Sequence, residues 1–465
     1  MVFISEASGR QAAFQRAYGA IVLLLLVFLM GGSGRADNAS FLLLRPISAF
    51  ALVFALWKYG APFWRQHRSL AYLTLAVVLV PAIHLVPLPP AIWTALPGRE
   101  LVVDVFRENG MALPWQPISM EPLSTLNALL SLMLPISVLL LAVSASRPQQ
   151  ADMMRVILLI GAVSGLLGLL QAIGSPTSPL YFYRITNNGM AVGLFANRNH
   201  QAIFLACLIP LISAHLSLIS GRNETVRLLK ASSAAAAIFL IPLILVTGSR
   251  TGLLLTLLAI PLSLWIYREP VVVGRRIDLS SARRLSLFAY SVVGLLMLGL
   301  LTLASFRAPA VSRLLASDAA GDLRWTALPT LLKATGDLMP FGSGVGSFVP
   351  IYKVYEPRDL LSPNYFNHAH NDYVEVLLTV GLPGALLILV AGFMLFRAAM
   401  RAAKPSAALA ASREDLILLR AGVAVLVLLA IASVGDYPLR TPSIAALGAV
   451  ATAWIVGALR RTRPQ

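Results

Sequence analysis

The chain has 465 residues, of which 58% are hydrophobic and only 12% are charged, and its mean hydropathy is +0.78. Soluble domains carry about 25% charged residues, so this composition excludes a soluble globular protein and indicates a polytopic membrane protein. The single cysteine, Cys207, excludes an intramolecular disulfide and a multi-cysteine metal site; within its apolar run it is expected to be a small buried side chain.

Apolar runs long enough to cross a bilayer recur along the whole chain, which predicts an all-α protein with about twelve transmembrane helices. We expect one integral membrane domain over 1–465, a large, partly helical loop at 307–372, and C-terminal transmembrane helices within 373–465. The predicted spans are 18–32, 41–57, 70–87, 122–143, 153–172, 201–220, 232–247, 252–267, 286–306, 373–396, 416–434 and 441–458.

The net charge of +17 is distributed unevenly between the two sides of these spans. Basic residues concentrate in the loops of one side, and the positive-inside rule makes that side, with both termini, cytoplasmic. The excess of basic residues is therefore explained by the membrane topology and does not require a nucleic-acid partner. The first span is expected to be an uncleaved signal anchor. The basic clusters include Arg275, Arg276, Arg283, Arg284, Arg460 and Arg461.

In chain order, the first polar clusters of the predicted outer side contain arginines. Arg198 lies in an Asn-Arg-Asn-His run where a loop meets its helix, Arg250 follows in a tight Gly-Ser-Arg-Thr-Gly turn, and Arg324 lies in the large loop. A guanidinium matches phosphate oxygens with two parallel hydrogen bonds and stays charged, so these arginines suit a lipid-linked diphosphate. The alternative for each is an arginine that reaches to lipid headgroups or pairs with a carboxylate. The glycine series 342–346 lacks the Lys-Ser/Thr of a phosphate loop and is interpreted as a turn.

The densest cluster of ionisable groups is Asn367–Tyr373, which contains His368, His370, Asn371 and Asp372 at the start of a predicted span. Ionisable groups at a membrane boundary are usually functional. Zinc binding is one interpretation, but the sequence offers no third ligand. Acid–base chemistry fits better, with a histidine that takes a proton from an attacking hydroxyl and Asn371 or Asp372 that orients it. His200 is expected to make a hydrogen bond at its helix start.

Together these motifs resemble the O-antigen ligase/polymerase superfamily, the Wzy-C proteins, which include the WaaL-like O-antigen ligases. The resemblance rests on the order, the spacing and the common outer side of the four clusters, and on the final outer turn Asp436–Pro442. It implies a GT-C type, metal-independent, inverting glycosyltransferase of the bacterial inner membrane, without a cofactor and with its active site facing the periplasm. The donor would be a glycan on undecaprenyl diphosphate, and the acceptor a periplasmic hydroxyl in cell-envelope synthesis.

The resemblance also implies roles for residues at matching positions. His370 would be the catalytic base, and Arg198 and Arg250 would bind the diphosphate, with Arg324 as an addition. The supporting residues would be Asn199, His200, His368, Asn371 and Asp372, and no residue is expected to bind a metal.

Three functions stay open at this point. The first is an O-antigen ligase of lipopolysaccharide biosynthesis, whose acceptor is the lipid A core; a protein acceptor is a minor variant. The second is a Wzy-like polysaccharide polymerase, whose acceptor is another lipid-linked repeat unit. The third is a flippase or transporter, but transporters place polar residues near the bilayer midplane, whereas these clusters lie at the predicted outer edge. The ligase interpretation is preferred.

Overall fold

The protein is described by a computed structural model that covers residues 19–219, 224–268, 324–361, 366–404 and 412–461. The described chain is mainly helical, with one short antiparallel pair, β1 (Pro87–Leu88) and β2 (Gln116–Pro117). Its helices are α1 (Gly19–Met30), α2 (Phe41–Gln66), α3 (Arg68–His84), α4 (Pro90–Trp93), α5 (Glu100–Glu108), α6 (Pro122–Ser131), α7 (Met133–Ser144), α8 (Arg147–Ile173), α9 (Arg198–Leu218), α10 (Glu224–Val246), α11 (Arg250–Ile266), α12 (Leu328–Asp337), α13 (Phe348–Tyr355), α14 (Asp372–Val380), α15 (Leu382–Ala402), α16 (Arg413–Gly435) and α17 (Pro442–Arg461).

Within the described ranges, seven helical segments are long and apolar enough to cross a membrane: α2, α6 with α7, α8, α9, α15, α16 and α17. Shorter apolar helices cover Gly19–Met30, Arg68–His84, Ser233–Val246 and Arg250–Ile266. The structure is therefore consistent with the expected all-α membrane protein. The count of about twelve spans and the GT-C type stay predictions, and the predicted span 286–306 lies outside the described residues.

One predicted span differs from the structure. The sequence predicted one span over 373–396, with a break in the apolar segment at Gly381–Gly384, and in the structure the chain divides at Gly381 into α14 and α15. Gly381 has φ +68°, and a Cβ there would lie 2.1 Å from the carbonyl oxygen of Pro340. Only glycine fits this close approach. The membrane-spanning candidate is therefore Leu382–Ala402, and α14 packs with the preceding loop.

The main core is built around α9, which is flanked by α8, α10, α11 and α16. The side chains of α9 are buried along almost its whole length, including Phe204 and the fully buried Cys207. At the end of the bundle where α16 begins, Asp415 accepts hydrogen bonds from Arg147 and Arg461 and ties α8, α16 and α17 together. The polar clusters predicted to be functional lie at the opposite end.

A second, smaller core joins α12, α13 and α14, through Leu331, Phe348 and Leu378 among others. The glycine series connects this core to its surroundings, since each glycine has a positive φ and a close backbone or side-chain neighbour. A Cβ at Gly342 would meet the backbone of Thr379, and one at Gly344 would lie 2.4 Å from the Ser119 hydroxyl. The series is thus a packed turn, and it fixes α14 against the segment that precedes α6.

Candidate active site

The site forms where several helix ends meet, and local capping explains why each end is there. Asn197 caps α9 by accepting from the Asn199 backbone N–H, and Ser249 caps α11 by accepting from the Gly252 N–H. Asn371 caps α14 in the same way. Side chains of this kind satisfy the free N–H groups of a first turn, so each polar cluster marks a helix start.

The start of α9, the turn before α11 and the end of α16 lie side by side. A Cβ on Gly248 would lie 3.5 Å from Nη1 of Arg198, so the α9 start touches the turn before α11. A Cβ on Gly435 would lie 3.9 Å from the Thr251 hydroxyl, so the end of α16 touches the same helix start. The arginine of the α9 start and the Arg250 turn therefore share one neighbourhood.

Asp436, directly after α16, is the centre of the site. Its side chain is fully buried; Oδ2 accepts a hydrogen bond of 2.8 Å from Nδ2 of Asn199. Oδ1 lies 3.6 Å from Nδ1 of His370 and 3.7 Å from Nε2 of His200. Burial opposes ionisation of this carboxyl, but the two facing imidazoles hold its pKa well below the usual range. Asp436 is therefore an anion that joins α9 to the histidine motif.

His370 faces Asp436 from the histidine motif. Burial lowers its pKa below the ordinary value of 6.5, Asp436 opposes that shift, and Arg324 favours it. The imidazole is therefore neutral near pH 7. If Nδ1, which faces the carboxylate, carries the ring proton, Nε2 is the basic nitrogen. The backbone of His370 has φ +49°, a conformation that non-glycine residues rarely adopt and that concentrates at functional sites.

Each predicted arginine lies at this group of helix ends. Arg198 is half-buried, with Nη1 3.9 Å from the Met190 sulfur, and Arg250 is exposed at the first position of α11. Arg324 donates from Nη1 to the carbonyl oxygen of Gly435 at 3.2 Å, and its Nε is buried without a partner among the described residues. The structure thus gathers the predicted arginines at the end of the bundle that holds His370.

The histidine motif is fixed by a second set of polar contacts. His368 Nδ1 lies 3.0 Å from Oε1 of Glu375, and Arg440 donates to Asp372 at 2.9 Å and to Glu375 at 3.1 Å. The Tyr437 ring packs against His368, His200 and His370, with centroid distances of 4.1, 5.2 and 5.0 Å. The motif is thereby held against the turn between α16 and α17.

One sequence-based expectation about this motif is wrong. Either Asn371 or Asp372 was expected to orient His370, but neither is the group that faces it. The Asn371 carboxamide oxygen accepts from the N–H groups of Tyr373 and Val374, and Asp372 is engaged by Arg440 and Ser433. Asp436 faces the imidazole instead. His200 does make the expected hydrogen bond, to the Thr441 hydroxyl at 2.8 Å.

Sequence reasoning gave no role to Asp436, Tyr437, Arg440 or Glu375. The first three belong to the last outer turn that supported the resemblance, so a signal was present. Glu375 lies inside a predicted span, where an ionisable residue is itself a functional signal. In the described part of the chain, no group of three His, Cys, Asp or Glu side chains is placed to hold a metal ion.

Comparison with known proteins gives one family match and no curated relative. Residues 235–389 match the family model Wzy_C, described as O-antigen ligase. No curated protein matches the chain. The matched segment includes Arg250, Arg324 and His370, whereas Arg198 and Asp436 lie outside it. Together with the apolar helices, this match points to a multi-pass bacterial membrane protein. The predicted resemblance is confirmed: residues 235–389 are similar to the O-antigen ligase family.

Proposed function

We propose that this protein is a glycosyltransferase of the bacterial inner membrane that transfers a glycan from undecaprenyl diphosphate to a periplasmic acceptor hydroxyl. In this proposal the end of the bundle that holds His370 faces the periplasm and both termini are cytoplasmic. The observation that carries it is the buried Asp436 carboxylate, which faces His370 and binds Asn199, the residue next to Arg198. Asp436 thereby links the proposed base, His370, to the start of α9, which carries the proposed phosphate-binding residue Arg198.

The proposed reaction is a single displacement. Nε2 of His370 takes the proton of the acceptor hydroxyl, and the oxygen forms a bond to the anomeric carbon of the donor glycan. The bond from that carbon to the diphosphate oxygen breaks, and the electron pair leaves with undecaprenyl diphosphate. Attack from the opposite face inverts the anomeric centre, and no covalent enzyme intermediate forms. A positioned base of this kind contributes about 10²–10⁴-fold to the rate.

The arginines supply the electrostatic part of the mechanism. Negative charge develops on the leaving diphosphate, and Arg198, Arg250 and Arg324 neutralise it from fixed positions. Charges that are already in place need no reorganisation during the reaction, and this is often the largest contribution to catalysis. A guanidinium also pairs with two phosphate oxygens at once. This chemistry requires neither a metal ion nor a cofactor.

The proposed acceptor is the lipid A core, which makes the protein an O-antigen ligase. A polymerase that extends one lipid-linked repeat unit with another would use the same base and arginines, so the acceptor must be identified by experiment. Flipping or transport is disfavoured because the described polar cluster lies at helix ends; transporter sites lie at broken helices near the midplane.

The test is the glycolipid profile of a host strain that lacks the gene, complemented with wild type, His370→Ala or the control His67→Ala. His67 lies between α2 and α3, away from the site. Loss of core-linked glycan, with long polymer accumulating on undecaprenyl diphosphate, would support a ligase. Core with one repeat unit, or loss of secreted polymer with normal core glycans, would support a polymerase. A normal profile with His370→Ala would refute the role of His370.

A further inference from the structure

Arg45 is a cation inside a candidate membrane span. It lies in α2, four residues after the helix begins, which is about 6 Å along the helix axis. A charged residue in such a position is costly and usually functional. Its described partners are neutral, since Nη2 donates to the side-chain oxygen of Asn127 and the guanidinium lies 5.2 Å from the centre of the Phe41 ring. None of the ion pairs in the described part of the chain involves Arg45.

The two helices that this hydrogen bond joins, α2 and α6, both begin at the end of the bundle that holds His370. Just before α2, a Cβ on Gly34 would lie 2.6 Å from the carbonyl oxygen of Arg440. In the first turn of α6, the Thr125 hydroxyl donates to the carbonyl oxygen of Val345 at 2.7 Å. Further along, α2 packs against α7 and α6 packs against α3. The hydrogen-bonded pair therefore lies within about two turns of that end, close to the lipid headgroups there.

The surface around the pair is apolar and exposed on both helices. Leu42 on α2 and Leu123 on α6 are 80% and 81% exposed, and Leu126 is exposed as well. Since both helices belong to candidate membrane spans, these side chains face lipid. Arg45 is half-buried at the edge of this surface, and neither its Nε nor its Nη1 is a buried atom without a partner. The guanidinium nitrogens that Asn127 does not occupy therefore reach the lipid-facing surface.

The anion that a membrane offers at this depth is a lipid phosphate. A guanidinium always carries its charge and pairs with two phosphate oxygens at once. An arginine that only reaches toward the headgroups would be free to move, whereas Arg45 is fixed by the Asn127 amide and packs on the Phe41 ring. A fixed guanidinium loses less conformational freedom when a ligand binds, so this arrangement favours one bound phosphate over loose contact with many lipids.

We propose that Arg45 and Asn127 form a binding site for the phosphate of an anionic membrane phospholipid, whose acyl chains lie against the exposed apolar side chains of α2 and α6. The site is separate from that of His370: among the described residues, no hydrogen bond, ion pair or ring contact joins Arg45 to His370 or to the three predicted arginines. The bound lipid stabilises the end of the bundle where α2 and α6 begin. The inference depends neither on glycan transfer nor on the side of the membrane that this end faces.

The first experiment measures binding of phosphatidylglycerol to the purified protein in detergent by native mass spectrometry, with diacylglycerol of the same chains as the lipid without phosphate. Arg45→Gln should weaken phosphatidylglycerol binding about tenfold or more, the value of a charge-assisted hydrogen bond, and leave diacylglycerol binding unchanged. The matched control is Arg65→Gln, an exposed arginine at the other end of α2, which should bind phosphatidylglycerol like wild type. Equal phosphatidylglycerol affinity of wild type and folded Arg45→Gln would overturn the proposal, and so would an equal loss in Arg65→Gln.

The second experiment separates lipid binding from a purely structural role of the pair. Asn127→Asp places a carboxylate of nearly the same shape beside Arg45 and neutralises the guanidinium from within the protein. The Tm of wild type should rise with added phosphatidylglycerol, because a ligand that binds the folded state stabilises it. The Tm of Asn127→Asp should not rise, and its phosphatidylglycerol affinity should be about tenfold lower or less. A folded Asn127→Asp protein with the affinity and Tm response of wild type would overturn the proposal, and this variant replaces Arg45→Gln if the latter does not fold.

The competing source of a lipid phosphate is the proposed donor, so the third experiment repeats the binding measurement with undecaprenyl diphosphate. We expect Arg45→Gln to bind undecaprenyl diphosphate like wild type, because Arg45 is separate from the proposed diphosphate site. Weaker binding of undecaprenyl diphosphate with normal binding of phosphatidylglycerol would overturn the phospholipid assignment and place Arg45 in the donor site. If Arg45 binds phosphatidylglycerol but wild type transfers no glycan, the proposed function fails and this inference stands.

Discussion

Replacement of Asp436 by asparagine is the most informative single change. The amide has the shape of the carboxylate, but it removes the buried charge that faces Nδ1 of His370 at 3.6 Å. The amide N–H₂ can then donate to Nδ1, which places the imidazole proton on Nε2 and leaves no basic nitrogen toward the acceptor. The buried amide can still bond Asn199, so the fold should be retained.

The magnitude of this effect follows from the role of the base. Loss of a correctly oriented general base removes about 10²–10⁴-fold in rate, and we expect kcat to fall within that range. The KM for the lipid-linked donor should change little, because the arginines are untouched. The assay is glycan transfer by purified protein, with thermal melting as the test of folding. Asp152→Asn is the matched control, since Asp152 forms an exposed pair with Arg155 at the other end of the bundle. A folded Asp436→Asn protein with kcat within a few-fold of wild type would show that Asp436 does not orient a catalytic base.

Three further predictions concern pH, phosphate binding and packing. The pKa of His370 is lowered, so the base is lost only as the pH falls through a value below 6.5; an acid limb of kcat/KM above 6.5 would contradict this. Arg324→Lys replaces the guanidinium fork and should raise the donor KM about tenfold. The control Arg155→Lys should leave the donor KM unchanged. A donor KM for Arg324→Lys equal to that of wild type would argue against Arg324 as a phosphate ligand. Gly344 has φ +100°, and Gly344→Ala should destabilise the fold by about 1–3 kcal/mol, measured as a lower Tm. The control Gly336→Ala lies in a helix with open space around it and should not lower Tm. An unchanged Tm for Gly344→Ala would show that the turn relaxes to accept the methyl group.

Sequence alone predicted the features that depend on local chemistry. Apolar runs located the helices because a membrane helix needs a long apolar segment. The clusters around Arg198 and His370 were predicted to lie at helix starts, and the cluster around Arg250 in a turn between two spans. Asn197, Asn371 and Ser249 cap the helices that begin there.

The features that depend on tertiary contacts were missed. Asp372 was expected to orient His370 because it lies two residues away, yet a carboxylate far along the chain, Asp436, faces the imidazole. The first turn of α14 directs Asp372 to Arg440 instead. The sequence marked a break in the apolar segment at Gly381–Gly384, but the predicted span 373–396 ran through it, because the approach of Pro340 to Gly381 comes from another segment. The contact between Asp436 and His370 has no local sequence pattern.

The central claim is that His370 is the base of a glycan transfer from a lipid-linked diphosphate. It is tested most directly by incubating the purified protein with undecaprenyl-diphosphate-linked glycan and an acceptor glycolipid, and measuring the initial rate of transfer. We expect transfer by wild type and a rate at least about 10²-fold lower for His370→Ala, with donor affinity retained. Transfer by folded His370→Ala at the wild-type rate would contradict it.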